Sequence, residues 1–495
     1  MRTTSEGARA DCEDERGARR PHRLPYLLKF VLFALVAFAA VAALDYAIVP
    51  YGTMVDVAFQ AFQEADDVDT VIVGSSYMQF GGDPEAFDTA FAAGGGTSTS
   101  YNIAASGGSV ECMYYSVEEA LQKPGVRRVV VGIGRDDLSD VYNLQSVFAN
   151  TFARYRGKPG WMALAACARA ACSAVNFDDA NSVRMLTPFL YNDSHYLINP
   201  EAIAANVRRK RGGMSYLDVQ REANGAWVYH GRGYGTYPGT IDTAHNTAAA
   251  YNVLADYQIN SGELSFVRRI CELCRERGVE LVVVVPPQTP SFLLSYGKAY
   301  PAEMAQLRDA VEGYGFAFAD FSLAKPELAT FSTLEDFANY SHLSDAGAAK
   351  FSAALARYVA ACEAGQDTRS WFYDYGAWDE WKASLPAVDS TWFDAASGAA
   401  AGDAVAAADA TADAGAQTGT VDLTAHVWGC PGAAVEYRYA LIGTDGTEAE
   451  LRGWSEDAAF AWTPDAAGAY TVRVYARGVG SAADYDRYYE RAVTV

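Results

Sequence analysis

Five short runs of almost unbroken apolar residues, each followed by a stretch of helical pattern, constrain this chain more than any other feature. They are DTVIV from Asp69, SYNIA from Ser100, RRVVVGIG from Arg127, VELVVVV from Val279 and FAFADFS from Phe316. Strands that are apolar on both faces belong to parallel sheets covered by helices on both sides. VECMYYSVEEALQ, LSFVRRICELCRERG and AGAAKFSAALARYVAACEAG supply such helices. The expectation is an α/β domain over 45–365, with any chemistry gathered at the carboxyl ends of its strands. An excursion at about 138–260 separates the third and fourth runs, is rich in Tyr, Trp, Gly and Asn, and carries Arg208-Arg209-Lys210-Arg211. It reads as a lid over a substrate groove, or as decorative loops with a solvated helix end.

Before this domain lies Leu24–Leu44, LPYLLKFVLFALVAFAAVAAL, whose single charge is Lys29. As a helix it spans about 31 Å, enough for the hydrocarbon core of a bilayer. Lys29 sits one turn inside the start, where its stem can carry the ammonium to the headgroups. Arg16, Arg19, Arg20 and Arg23 precede the run and Asp45 follows it. The positive-inside rule therefore puts the arm 1–23 in the cytoplasm, 24–44 across the cell membrane as a single-pass anchor, and the remainder outside. A cleavable leader ending at Ala40-Val41-Ala42 is the rival reading, and it too exports the body.

Against 39 Lys and Arg stand 61 Asp and Glu, a net charge of −22 that repels phosphate backbones and argues against a nucleic-acid partner. Of eight cysteines, Cys12 lies in the arm, which leaves an odd number outside. Cys271-Glu-Leu-Cys274 is mid-helix with no second pair or His nearby, so structural cysteines or a plain disulfide are expected rather than a metal site. No cofactor motif is present. The stretch 366–419 reads as a connecting segment passing into an Ala/Gly/Asp-rich linker. Beyond it, over 420–495, TVDLTAHVW, AVEYRYALIG, AYTVRVYAR and YYERAVTV are strand-like runs between turn residues, enough for a small all-β sandwich.

Three blocks could carry chemistry. In VIVGSSYMQF a strand runs through Gly74-Ser75-Ser76 into a helix, which sets a hydroxyl beside free backbone N–H groups, although many small-residue βα turns look alike. In YNIAASGGSVECMYY, Asn102 ends a strand and Ser106-Gly107-Gly108 turns into a helix, where a glycine N–H can face a developing oxyanion, or the loop is ordinary. In FANYSHLSDAGAAKF, His342 alone among six histidines follows the last strand and precedes the last helix of the α/β domain.

Together the blocks resemble the SGNH hydrolase superfamily, also called GDSL esterases, over about Asp66 to Gly365. The similarity is to its membrane-anchored, extracytoplasmic branch, which includes the teichoic acid D-alanyl transfer protein and sugar O-acetyl esterases and transferases. Gly-Ser-Ser stands for Gly-Asp-Ser, and SHLSDAGA looks like the closing His block. The resemblance implies a three-layer, flavodoxin-like parallel sheet, Ser76 as nucleophile, His342 as base, and oxyanion donors from the backbone of Ser76 and Gly107, with Asn102 in the same block. Two departures stand out. The third-block Asn is absent from Gly132-Ile-Gly-Arg-Asp-Asp137, so Arg135 either donates in its place or pairs with Asp136. The family's Asp three residues before the His is Asn339, which can orient the ring but not counter its charge; Asp336 is the alternative acid. WTPDAAGAYTVRVYAR further resembles the closing hairpin of bacterial immunoglobulin-like modules. These resemblances imply a serine esterase or O-acyltransferase acting on acyl groups, acetyl or similar, of a cell-envelope polysaccharide or acylated glycan. A transferase would also need a membrane acyl-donor protein as partner. The alternative is a catalytically lapsed binding or scaffold protein with the same fold.

Overall fold

The computed structural model describes residues 25–48, 54–139, 199–213, 228–237, 239–241, 259–397 and 420–495, with isolated residues at 162, 165, 166 and 169. The helix Tyr26–Ile48 is long and apolar enough to cross a membrane, with a mean hydropathy of 2.6 and none of its apolar stretch buried against the protein. The body is mixed α/β. Strands β1 (Thr70–Gly74), β2 (Ser100–Asn102) and β3 (Arg128–Gly132) precede the excursion. A hairpin, β4 (Val228–Gly231) and β5 (Tyr234–Thr236), lies within it, and β6 (Glu280–Val285) and β7 (Ala317–Asp320) follow. Five strands form one parallel sheet in the order β2-β1-β3-β6-β7.

The unbroken apolar runs are explained by burial on both faces. Val71, Val73, Val129, Val131, Leu281 and Val283 enter one core, with the helices Val110–Ala120, Ser261–Arg277 and Ala299–Glu312. The alternate residues Ile72, Val130, Val282 and Val284 enter another, with Pro84–Ala93 and Asp345–Glu363. Cys271 and Cys274 lie on the inner face of their helix, fully buried, and burial pushes both thiols up to about 12. They are free thiols filling core volume.

The core also continues past Gly365, because Trp378 and Trp381 of the helix Trp378–Ser384 stack on each other and join it. The segment 366–419 is not merely connecting. Its residues Ser390–Ser397 form β8, which pairs antiparallel with β9 (Val421–Trp428). The pattern of STWFDAAS is weak by itself, and its partner strand lies beyond the alanine-rich stretch 398–419, which falls outside the described residues. With β10 (Val435–Ile442), β11 (Glu448–Ser455), β12 (Ala459–Trp462), β13 (Ala469–Gly478) and β14 (Arg487–Thr494), the carboxyl-terminal region makes two antiparallel sheets. Leu423, Tyr439, Trp462, Val472 and Val474 fill the core they share.

Within the excursion, the helix Pro200–Arg211 carries the basic run in its last turn, and the hairpin packs on the end of β2. The remaining parts of 138–260, and with them most of the expected lid, lie outside the described residues.

Candidate functional site

Ser76 is placed by a close approach of two strand ends. β1 and β3 finish side by side at Gly74 and Gly132. A Cβ on Gly74 would stand 2.5 Å from Met78 Cγ, and one on Gly132 would stand 2.1 Å from it. Both glycines leave room for Met78 to tuck under the turn, which draws the short helix Ser76–Gln79 onto the sheet. Ser75 Oγ donates to Asp137 Oδ2 at 3.1 Å, and Gly134 N–H donates to the same oxygen at 2.8 Å. This fastens the two strand ends together, and burial drives the Asp137 carboxyl well above its ordinary range.

His342 arrives from the other end of the domain. Its loop is held where Thr289, after β6, donates its hydroxyl to Tyr340 O at 2.7 Å. Ser344 then caps the helix Asp345–Glu363 by accepting from Gly347 N–H at 3.2 Å. The loop brings His342 Nε2 to 2.8 Å from Ser76 Oγ. Nδ1 lies 2.9 Å from Asn339 Oδ1, which also accepts the backbone N–H groups of Ser341 at 3.1 Å and His342 at 3.0 Å. An oxygen that takes two backbone donors is an acceptor, so Nδ1 carries the proton and Nε2 presents a lone pair to the serine hydroxyl. The ring packs against Tyr77, Phe80 and Tyr237 with centroids 5.5, 5.7 and 5.4 Å away. Burial without a charged partner pushes the imidazole down to about 4. Tyr237 comes from the excursion and was not singled out from the sequence; only the aromatic richness of that segment pointed to it.

Other nominated residues serve different ends. Asp336 does not reach the imidazole: its Oδ2 accepts from Ser332 N–H at 2.7 Å and from Lys350 Nζ at 2.5 Å. Asn102 is no oxyanion donor, because its amide donates to Met78 O and Gly82 O, each at 2.7 Å, while its Oδ1 accepts from Ala104 N–H at 2.9 Å. Fully buried, it clamps the turn after Ser76 to β2. Arg135 has its Nε on the Glu303 carboxylate and its guanidinium 4.5 Å above the Tyr296 ring. Among the described residues Arg135 makes no direct ion pair with Asp136, although its charge acts on that carboxyl. Asp136 instead accepts from Tyr77 OH at 2.8 Å and Tyr296 OH at 2.6 Å. Gly107 has the left-handed backbone that favours glycine, with φ +66°, and its N–H makes no hydrogen bond to the described residues.

Chemically, this is a hydroxyl bonded to a neutral, oriented base at the carboxyl end of a parallel sheet. Such a pair can deprotonate the serine as it attacks an acyl carbon. Among the described residues no group of three or more His, Cys, Asp or Glu could hold a metal ion. In comparisons with known proteins, no family model and no curated protein matches the chain.

Proposed function

We propose that the protein is a serine esterase or O-acyltransferase of the SGNH type, held outside the cell membrane by its apolar helix and acting on acyl groups of a cell-envelope glycopolymer. The observation that carries this reading is the chain Ser76 Oγ, His342 Nε2, His342 Nδ1 and Asn339 Oδ1, with successive links of 2.8 and 2.9 Å. Ser76 Oγ attacks the ester carbonyl while His342 Nε2 takes its proton, and the backbone N–H groups of Ser76 and Gly107 receive the alkoxide. Collapse expels the sugar oxygen, which takes the proton back from His342 and leaves the acyl group on Ser76. Water, or the hydroxyl of a second sugar, then loses its proton to His342 and attacks the acyl-enzyme; the bond from the acyl carbon to Ser76 Oγ breaks, Ser76 Oγ takes the proton back from His342, and the acid or the transferred ester is released.

Asn339 keeps the productive tautomer but provides no charge for the imidazolium, so turnover is slower than with a carboxylate. Tyr237, half-buried beside the imidazole, suits a sugar face, and the two carboxyl-terminal sheets fit an immunoglobulin-like spacer. Hydrolysis of p-nitrophenyl acetate by the soluble body from Asp45, beside its Ser76→Ala and His342→Ala variants, tests the reading. Activity lost in both variants supports it; activity unaffected by either removes it.

A further inference from the structure

Gln79 stands three residues after Ser76 on the same short helix, so the two side chains are neighbours on one face. It is 1% exposed. Its Oε1 accepts the Ser106 N–H at 3.1 Å and also the Ser106 hydroxyl. A backbone N–H can only donate, which fixes Oε1 toward the Ser106-Gly107 loop and leaves Nε2 on the other side of the amide. There Nε2 has no hydrogen-bond partner among the described residues. A buried donor left unmade is costly and calls for an explanation.

The other side-chain donors nominated at this end of the sheet are spent. Asn102 gives its amide to two carbonyls, and Arg135 has its Nε on Glu303 and its guanidinium over the Tyr296 ring. Gln288 also has an orphaned amide, but it follows β6, and its Nε2 lies 3.4 Å from where a Cβ on Gly134 would be, across β3 from Gly107. Among the described residues it is Gln79 that joins the helix of Ser76 to the loop of Gly107 by a side-chain hydrogen bond.

We propose that Gln79 Nε2–H is a catalytic oxyanion donor, completing with the Ser76 and Gly107 N–H groups the cradle for the tetrahedral alkoxide. The inference rests on the serine-ester reading above. No proton is transferred: as Ser76 Oγ bonds to the acyl carbon and the carbonyl π pair moves onto oxygen, Nε2–H donates to that oxygen. The Ser106 bonds fix the orientation of the amide before the reaction.

The test is acetate-ester kinetics and thermal unfolding of Gln79→Glu and Gln79→Met beside wild type and Ser76→Ala, between pH 5 and 8. Glutamate keeps an oxygen for Ser106 but at pH 8 cannot donate; methionine loses both functions. The expected result is a fall in kcat of about 10²-fold in both at pH 8, with KM nearly unchanged. At pH 5 Gln79→Glu recovers toward wild type as its acid O–H becomes a donor, and Gln79→Met does not. Wild-type rates in Gln79→Glu at pH 8 with a slow Gln79→Met would reduce Gln79 to a prop for Ser106 and overturn the proposal, as would full activity in both. If Gln79→Met fails to fold, the pH dependence of Gln79→Glu carries the test. Wild-type activity that survives Ser76→Ala defeats the serine reading itself, whereas activity lost there but intact in the Gln79 variants defeats this inference alone.

Discussion

Changing Asn339 to Asp puts a charge where the structure has only a dipole. Asn339 Oδ1 already accepts His342 Nδ1–H at 2.9 Å and the backbone N–H groups of Ser341 and His342. A carboxylate of the same size keeps all three bonds. An opposite charge at this distance raises an imidazole by about 1 to 3 units. Burial has lowered His342 to about 4, so the variant should titrate at roughly 5 to 7. The sign for catalysis follows from the base being the neutral form: kcat/KM falls as pH drops through the His342 pKa. Wild type should hold its rate down to about pH 4, and Asn339→Asp should lose it one to three units higher. At pH 8, where both are neutral, the variant stabilises the imidazolium formed on attack; if about 1.4 kcal/mol of that reaches the transition state, turnover rises about tenfold. A pH series of p-nitrophenyl acetate hydrolysis from 3.5 to 9 measures both effects. An acidic limb that does not move, together with a loss of rate at pH 8, would refute the role given to Asn339.

Asp336→Asn should cost about 1 to 3 kcal/mol of stability, because it weakens a buried acceptor of Lys350 and Ser332 N–H, and should leave kcat unchanged; thermal unfolding beside kinetics checks this. Between pH 6.5 and pH 4 the folding stability of wild type should fall relative to His342→Ala, as the unfolded chain protonates His342 more readily than the native one, with that relative loss complete near pH 4. Truncation after Asp389 should leave ester hydrolysis intact, whereas a cut at Gly419 keeps β8 without β9 and should produce aggregation visible by gel filtration. The expressed protein should fractionate with membranes and retain its amino-terminal arm; a mature chain beginning near Ala43 would instead indicate a cleaved leader.

The parallel sheet was legible because burial on both faces writes itself into the chain as Val-Val-Val and Val-Val-Val-Val. β8 was not, since eight residues of mixed pattern become a strand only once β9, beyond the alanine-rich stretch, pairs with them. The meeting of Ser76 and His342 could be anticipated from their order, one after the first strand and one before the last helix of the domain. What each neighbouring polar group does could not. Asn102, Arg135 and Asp336 all carry suitable chemistry, but whether a donor or acceptor is spent depends on Met78 O, Glu303 and Lys350, contacts that no spacing announces. The same holds for Gln79, which passes in sequence for an ordinary helix residue and becomes conspicuous only through its bonds to Ser106.

The central claim is that Ser76 is an activated nucleophile, and covalent labelling tests it without assuming the natural substrate. Treatment of the soluble body with a fluorophosphonate, followed by peptide mass spectrometry, should place the adduct on Ser76, with labelling abolished in Ser76→Ala and strongly slowed in His342→Ala. An adduct on another serine, or no adduct in the folded wild-type protein, would contradict the account.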